Sequence, residues 1–85
     1  MEKFVRELTD LLRKNFPDCD LEIESVGAGR FGGFIIWNGF EDMEQIDRQR
    51  EVSKVIKSNL DRAKQSRISA LLTMTPEEMA SARKG

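Results

Sequence analysis

Apolar residues recur at helical spacing near the start of the chain. Phe4, Val5, Leu8, Leu11 and Leu12 fall on one stripe, with Glu2, Lys3, Arg6, Glu7 and Asp10 around the rest. That periodicity predicts an amphipathic helix over Glu2 to Phe16. Pro17 stops it, because the residue before a proline is pushed out of the α region. The period then drops to two. Leu21 and Ile23 alternate with Glu22 and Glu24, the pattern of a strand with one wet face. Gly27-Ala28-Gly29-Arg30 reads as a hairpin turn, and a second strand follows over about Phe31 to Trp37, ending at Asn38-Gly39.

A short helical turn is expected near Met43 to Ile46, leading into the longest helix at about Asp47 to Lys64. Val52, Val55, Ile56, Leu60 and Ala63 would form its apolar face. Alternation returns over Ile68 to Met74, with Ile68, Ala70, Leu72 and Met74 on one face and Ser69, Leu71 and Thr73 on the other. Thr75-Pro76-Glu77-Glu78 then carries a complete helix-start signal: a capping threonine, a proline at the first helical position and a glutamate placed to close a capping box. The last helix should fray towards Gly85. The order is αββααβα, without repeats or linkers, and predicts one α+β domain over residues 1–85. So few strands need helices laid on one face to bury a core, which gives a two-layer sandwich. The hairpin makes the first two strands antiparallel. A third strand returning after a helical crossover can pair in parallel, giving a three-stranded mixed sheet.

Composition narrows the chemistry. The 85 residues contain no histidine and one cysteine. Without imidazole, Ser-His-Asp and Cys-His catalysis are unavailable, and one thiol cannot fill a four-ligand zinc shell. No intramolecular disulfide can form, and no cofactor is expected. The charged N-terminal stretch reads as neither a signal peptide nor a membrane span, so a cytoplasmic, non-membrane protein is expected. A domain this size buries only about 60–65% of its unfolded surface, which leaves little room for a deep pocket. These readings favour a binding protein over an enzyme.

Net charge is −1, but it is unevenly placed: residues 43–67 carry +3 and residues 1–25 carry −3. Arg50, Lys54 and Lys57 share the helix face opposite Val52, Val55, Ile56 and Leu60, where they can meet phosphates or an acidic protein surface. Solvation of an exposed helix face is the plainer reading. Arg48 points nearer the apolar boundary, where a structural partner is expected. Gly27-Ala28-Gly29-Arg30-Phe31-Gly32 matches G-x-G-x-x-G literally, but a strand follows where a dinucleotide site needs a helix N-terminus. Asp18-Cys19-Asp20 reads as a solvated loop with an incidental cysteine. Trp37 and Phe40 are expected in the core, and Met43, Met74 and Met79 as packing residues.

The order of elements and three motifs resemble the BolA family. Phe40-Glu41 followed by Arg48-Gln49-Arg50-Glu51-Val52 is similar to that family's strand-ending Phe, turn and R-H-R-x-V helix start. Ile68-Ser69-Ala70-Leu71 stands where the family reads I-H-A-L, and Thr73-Met74-Thr75-Pro76-Glu77-Glu78 resembles its closing T-x-T-P-E-E/Q. The resemblance runs from about Gly27 to the C-terminus. It implies a fold related to class II KH domains and a role as a regulator and partner of monothiol glutaredoxins in iron–sulfur cluster handling, or as a DNA-binding regulator. In the cluster role, ligands come from a Cys or His in the hairpin loop and from the histidine of I-H-A-L. Here the loop holds Gly27 to Phe31, the strand position is Ser69 and the R-H-R position is Gln49. None is a metal-binding side chain, and a hydroxyl or amide replaces imidazole poorly at iron.

The sequence therefore predicts a regulatory or adaptor module that ligates no cluster, a monomer or weak dimer. The partner is a protein of the glutaredoxin type, with nucleic acid as the alternative. The partner-binding residues are expected to be Gly29, Arg30, Arg48, Arg50, Lys54, Lys57 and Ser69.

Overall fold

The computed structural model describes residues 2–84. Helix α1 covers Lys3–Asn15, and the Glu2 carboxylate accepts the Phe4 N–H at 3.2 Å to cap its start. Arg13 and Lys14 in its last turn suit the negative end of the helix dipole. Of the stripe the periodicity predicts, Phe4, Leu8 and Leu12 are buried and Val5 and Leu11 pack half-buried beside them. Strands β1 (Asp20–Gly27) and β2 (Arg30–Ile36) form an antiparallel hairpin. Ala28 and Gly29 join them with φ of 55° and 74°, the left-handed geometry a two-residue hairpin turn requires. Strand β3 (Ile68–Met74) pairs in parallel with β2, so the order is β1-β2-β3 and the sheet is mixed. At Gly33 the backbones of β1 and β2 come so close that a Cβ would run into the Glu22 carbonyl oxygen.

Between β2 and β3 the chain departs from the expected layout. The short turn is a 3-10 turn at Asn38–Phe40, earlier than the expected Met43–Ile46. Phe40 is fully buried and packs edge-on against Trp37, while Gly39 lies so close to the Trp37 ring that a Cβ would clash with it. Helix α2 covers Gln45–Asn59 and stops five residues short of the expected Lys64. Leu60 turns extended (φ −116°, ψ 141°) to put its side chain in the core, and Asp61 caps a separate single turn, α3 (Arg62–Gln65), by accepting the Lys64 N–H at 2.8 Å. Ala63, expected on the apolar face, is exposed.

Strand β3 is also not the simple alternation. Phe31 faces Ile68 but Gly32 faces Ala70, so Ser69 is an extra, bulged residue. The bulge changes the phase of the strand. Ile68 packs on the core and so do Leu71 and Thr73, whereas Leu72 stays half exposed. Helix α4 (Pro76–Lys84) starts with the capping box read from the sequence: the Glu78 N–H donates to Thr75 Oγ1 at 3.1 Å and the Thr75 N–H to Glu78 Oε1 at 2.9 Å. The position expected to fray, Gly85, lies outside the described residues.

The main core joins α1, α2 and the inner face of the sheet through Phe4, Leu8, Leu12, Ile35, Val52 and Ile56. Ile36 and Met79 are buried outside this cluster, because α4 packs against the opposite face of the sheet at one end. Cys19, expected in a solvated loop, is instead buried in the main core, and desolvation raises its thiol pKa.

Candidate functional site

Two polar regions lie along α2. The first surrounds its N-terminal turn. Arg48 is buried, and its guanidinium forms a two-pronged pair with Glu78 (2.7 and 3.3 Å) while Nε donates to the Met43 carbonyl at 3.0 Å. Gln45 accepts from Arg48 at 3.3 Å and from the Thr73 hydroxyl at 3.0 Å, and donates to the Thr73 carbonyl at 3.3 Å. Gln49 reaches the same hydroxyl at 3.5 Å. The network fastens the start of α2 to the end of β3 and the start of α4. Hydrogen bonds from Arg48 and from the Thr75 backbone hold the Glu78 carboxyl below its ordinary pKa. Glu41, Asp42, Glu44 and Glu77 ring the open side of this cluster.

The second region follows the rest of the helix. Arg50, Lys54 and Lys57 are exposed, and none has an ion-pair partner within 4.0 Å among the described residues. Val52, Ile56, Leu71 and Ile68 floor a groove between α2 and β3, with Lys57, Gln49 and Ser69 on its walls. The bulge carries Ser69 outward at the sheet margin and lets the groove open there. Lys57 and Ser69 thus meet in one groove.

The other residues named from the sequence are scattered. Gly29 and Arg30 lie in the hairpin turn and at the start of β2. The Gly29 carbonyl accepts from Arg67 Nε at 3.0 Å, and the Phe31 N–H donates to the Arg67 carbonyl at 2.7 Å. The Arg67 guanidinium also stands 4.6 Å from the Phe4 ring centre and 5.4 Å from that of Phe31. Arg67 therefore joins the turn, α1 and β3, a role that no motif in the sequence signals. Arg48 is committed to Glu78, about nine residues and 13 Å along the helix from Lys57. It acts as the structural residue its place on the wheel suggests.

No protein-family model matches the chain, and no curated protein does. Solved structures do. BolA1 from Arabidopsis thaliana shares 28% identity and superposes with a TM-score of 0.70, covering 92% of this chain and 98% of that one. This chain is similar to BolA proteins. A bol-like protein from Babesia bovis matches at 25% identity and a TM-score of 0.62, over 89% of this chain and 88% of that one. The BolA domain of SufE1 from Arabidopsis thaliana has the same fold at 18% identity, with a TM-score of 0.69 over 92% of this chain and 98% of that one.

The BolA resemblance raises the question of a shared iron–sulfur cluster, and the donors present do not fit one. Ala28 and Gly29 occupy the hairpin turn, Ser69 the strand and Gln49 the helix. Among the described residues no group of three or more His, Cys, Asp or Glu side chains is arranged to hold a metal ion. Cys19 cannot substitute for a loop ligand. It precedes β1, whereas the turn follows it, so the two are separated by about 26 Å of extended chain. Its thiol is buried, and desolvation raises its pKa.

Proposed function

We propose that this BolA-like protein is a non-catalytic regulatory or adaptor module. It binds a protein partner, of the monothiol glutaredoxin type, without contributing a cluster ligand. The contact surface is the groove between α2 and β3 together with Arg50, Lys54 and the neighbouring hairpin turn at Gly29 and Arg30. One observation carries this reading: Lys57 and Ser69, far apart in sequence, line one groove with an apolar floor. Such a floor inside a polar rim suits a protein contact. No helix of the described residues is long and apolar enough to cross a membrane.

Titrating the labelled protein with an apo monothiol glutaredoxin and following amide shifts tests the proposal. Shifts concentrated at residues 27–33, 50–57 and 69–71 support it, and their absence at high partner concentration overturns it. The unpaired cations on α2 favour a second reading, nucleic-acid binding along Arg50, Lys54 and Lys57. Titration with single-stranded DNA and RNA at two salt concentrations separates the readings, since phosphate binding weakens steeply as salt rises.

A further inference from the structure

The face of the sheet away from α1 and α2 is only partly covered. On β1, the residues that alternate with inward Leu21 and Ile23 are Asp20, Glu22 and Glu24, so the outward positions up to Glu24 are all carboxylates. On β2 and β3 the outward positions are Gly32, Phe34 and Ile36, paired with Ala70, Leu72 and Met74. Val26 closes the patch, with its Cγ1 over Gly32. Val26 is 53% and Leu72 49% exposed. This is unusual for a parallel pair, because parallel strands are normally covered on both faces and read as continuous apolar runs. Phe34-Ile35-Ile36 and Ala70-Leu71-Leu72 are such runs, yet only the Ile36 end lies beneath a helix.

That covered end shows what this surface accepts. Helix α4 lays Met79 and Ala80 beside Ile36, and from its next turn Arg83 pairs with Glu22. Its pattern is an apolar stripe with a cation on the flank that faces β1. The uncovered remainder repeats the same elements one step further along the strands: apolar Phe34, Leu72, Ala70 and Val26 beside Glu24, which has no ion-pair partner among the described residues. We infer that this part of the sheet docks an amphipathic helix of a partner protein, laid beside α4, with an apolar stripe flanked by lysine or arginine. Apart from Ala70 on the edge strand, which also borders the α2 groove, the site lies on the opposite face, so it stands or falls independently of the function proposed above.

The test uses a synthetic helical peptide with a leucine stripe flanked by lysines, and a matched peptide with glutamates in place of the lysines. Amide shifts are recorded on the labelled full chain. The lysine peptide should move residues 24–26, 32–34 and 70–72 and leave 50–57 unmoved. Leu72→Asp should weaken binding about tenfold or more, the scale of a central contact residue. Glu24→Lys, a surface change that leaves the apolar patch intact, should reverse the preference between the two peptides, which keeps the test decisive should Leu72→Asp unfold the sheet. Equal response to both peptides, shifts centred on α2, or no effect of Glu24→Lys would overturn the inference. So would concentration-dependent shifts at Leu72 in the protein alone, which would make a second copy the occupant, or binding to neutral lipid vesicles through this patch.

Discussion

Two faces of α2 carry the same kind of side chain and use it in opposite ways. Arg48 in the first turns is buried with its donors engaged, whereas Arg50, Lys54 and Lys57 are exposed and form no ion pair within 4.0 Å among the described residues. The difference arises from two residues of helix rotation. Arg48 lies on the rim of the apolar stripe, four residues before Val52, and so meets β3 and α4. Arg50 lies about 200° further round, on the exposed face. A cationic helix in a small domain can thus be a clamp on one face and a contact surface on another, and only burial and hydrogen bonding tell the two apart.

Arg48→Ala should break this contrast most severely. Removing one partner of a fully buried pair costs about 3–5 kcal/mol, but the Glu78 side chain is 47% exposed, so roughly 2 kcal/mol is expected here. In a domain of this size that lowers Tm by about 10 °C. Arg50→Ala, the matching change on the exposed face, should alter stability by less than about 0.5 kcal/mol. Equal effects in paired thermal melts would show that the two faces are not different in kind.

Next comes the cap at the far side of the clamp. Thr75→Ala removes the hydroxyl that accepts the Glu78 N–H and should cost about 1 kcal/mol in denaturant unfolding. Thr75→Ser keeps that bond and should recover most of the loss.

The pH dependence gives a smaller effect. Arg48 holds the folded-state pKa of Glu78 below its unfolded value. The stabilisation is therefore complete above the ordinary carboxylate pKa of about 4.3 and is lost as pH falls through the lower folded value. Because the carboxylate is half in water, the loss should stay below about 1 kcal/mol. Glu78→Gln should remove this part of the acid limb and leave the rest of the stability–pH curve parallel to that of the unmodified protein.

The local signals in the sequence and the long-range ones fared differently. The capping box at Thr75 to Glu78 was legible because a cap is decided within four residues, and the hairpin because only a few turn residues tolerate positive φ. The end of α2 was not legible. Leu60 continues the 3.6 period, and only its contact with the core shows that it leaves the helix in an extended conformation. The bulge at Ser69 was equally hidden, since strict alternation through Ile68 to Met74 fits the sequence as well as the interrupted one does. Within the candidate site, the exposed face of Arg50, Lys54 and Lys57 followed from helical spacing. The commitment of Arg48 to Glu78 and the bridge made by Arg67 depend on residues 30 or more positions away, which periodicity does not report.

The smallest stability effect belongs to the cations themselves, and it separates a contact surface from a clamp most finely. Lys54→Glu and Lys57→Glu remove no hydrogen bond and no ion pair within the described residues. Lys57 does sit in the last turn of α2, where a positive charge favours the helix dipole and a negative one opposes it. Its reversal should therefore cost a few tenths of a kcal/mol more than that of Lys54, which lies nearer the middle, and the excess should shrink with added salt. Circular-dichroism melts at low and high ionic strength resolve the pair. A loss above about 1 kcal/mol for either variant would mean that this face, too, is bound into the fold. A loss within the expected range, combined with weakened partner binding, would assign the two lysines to the contact surface.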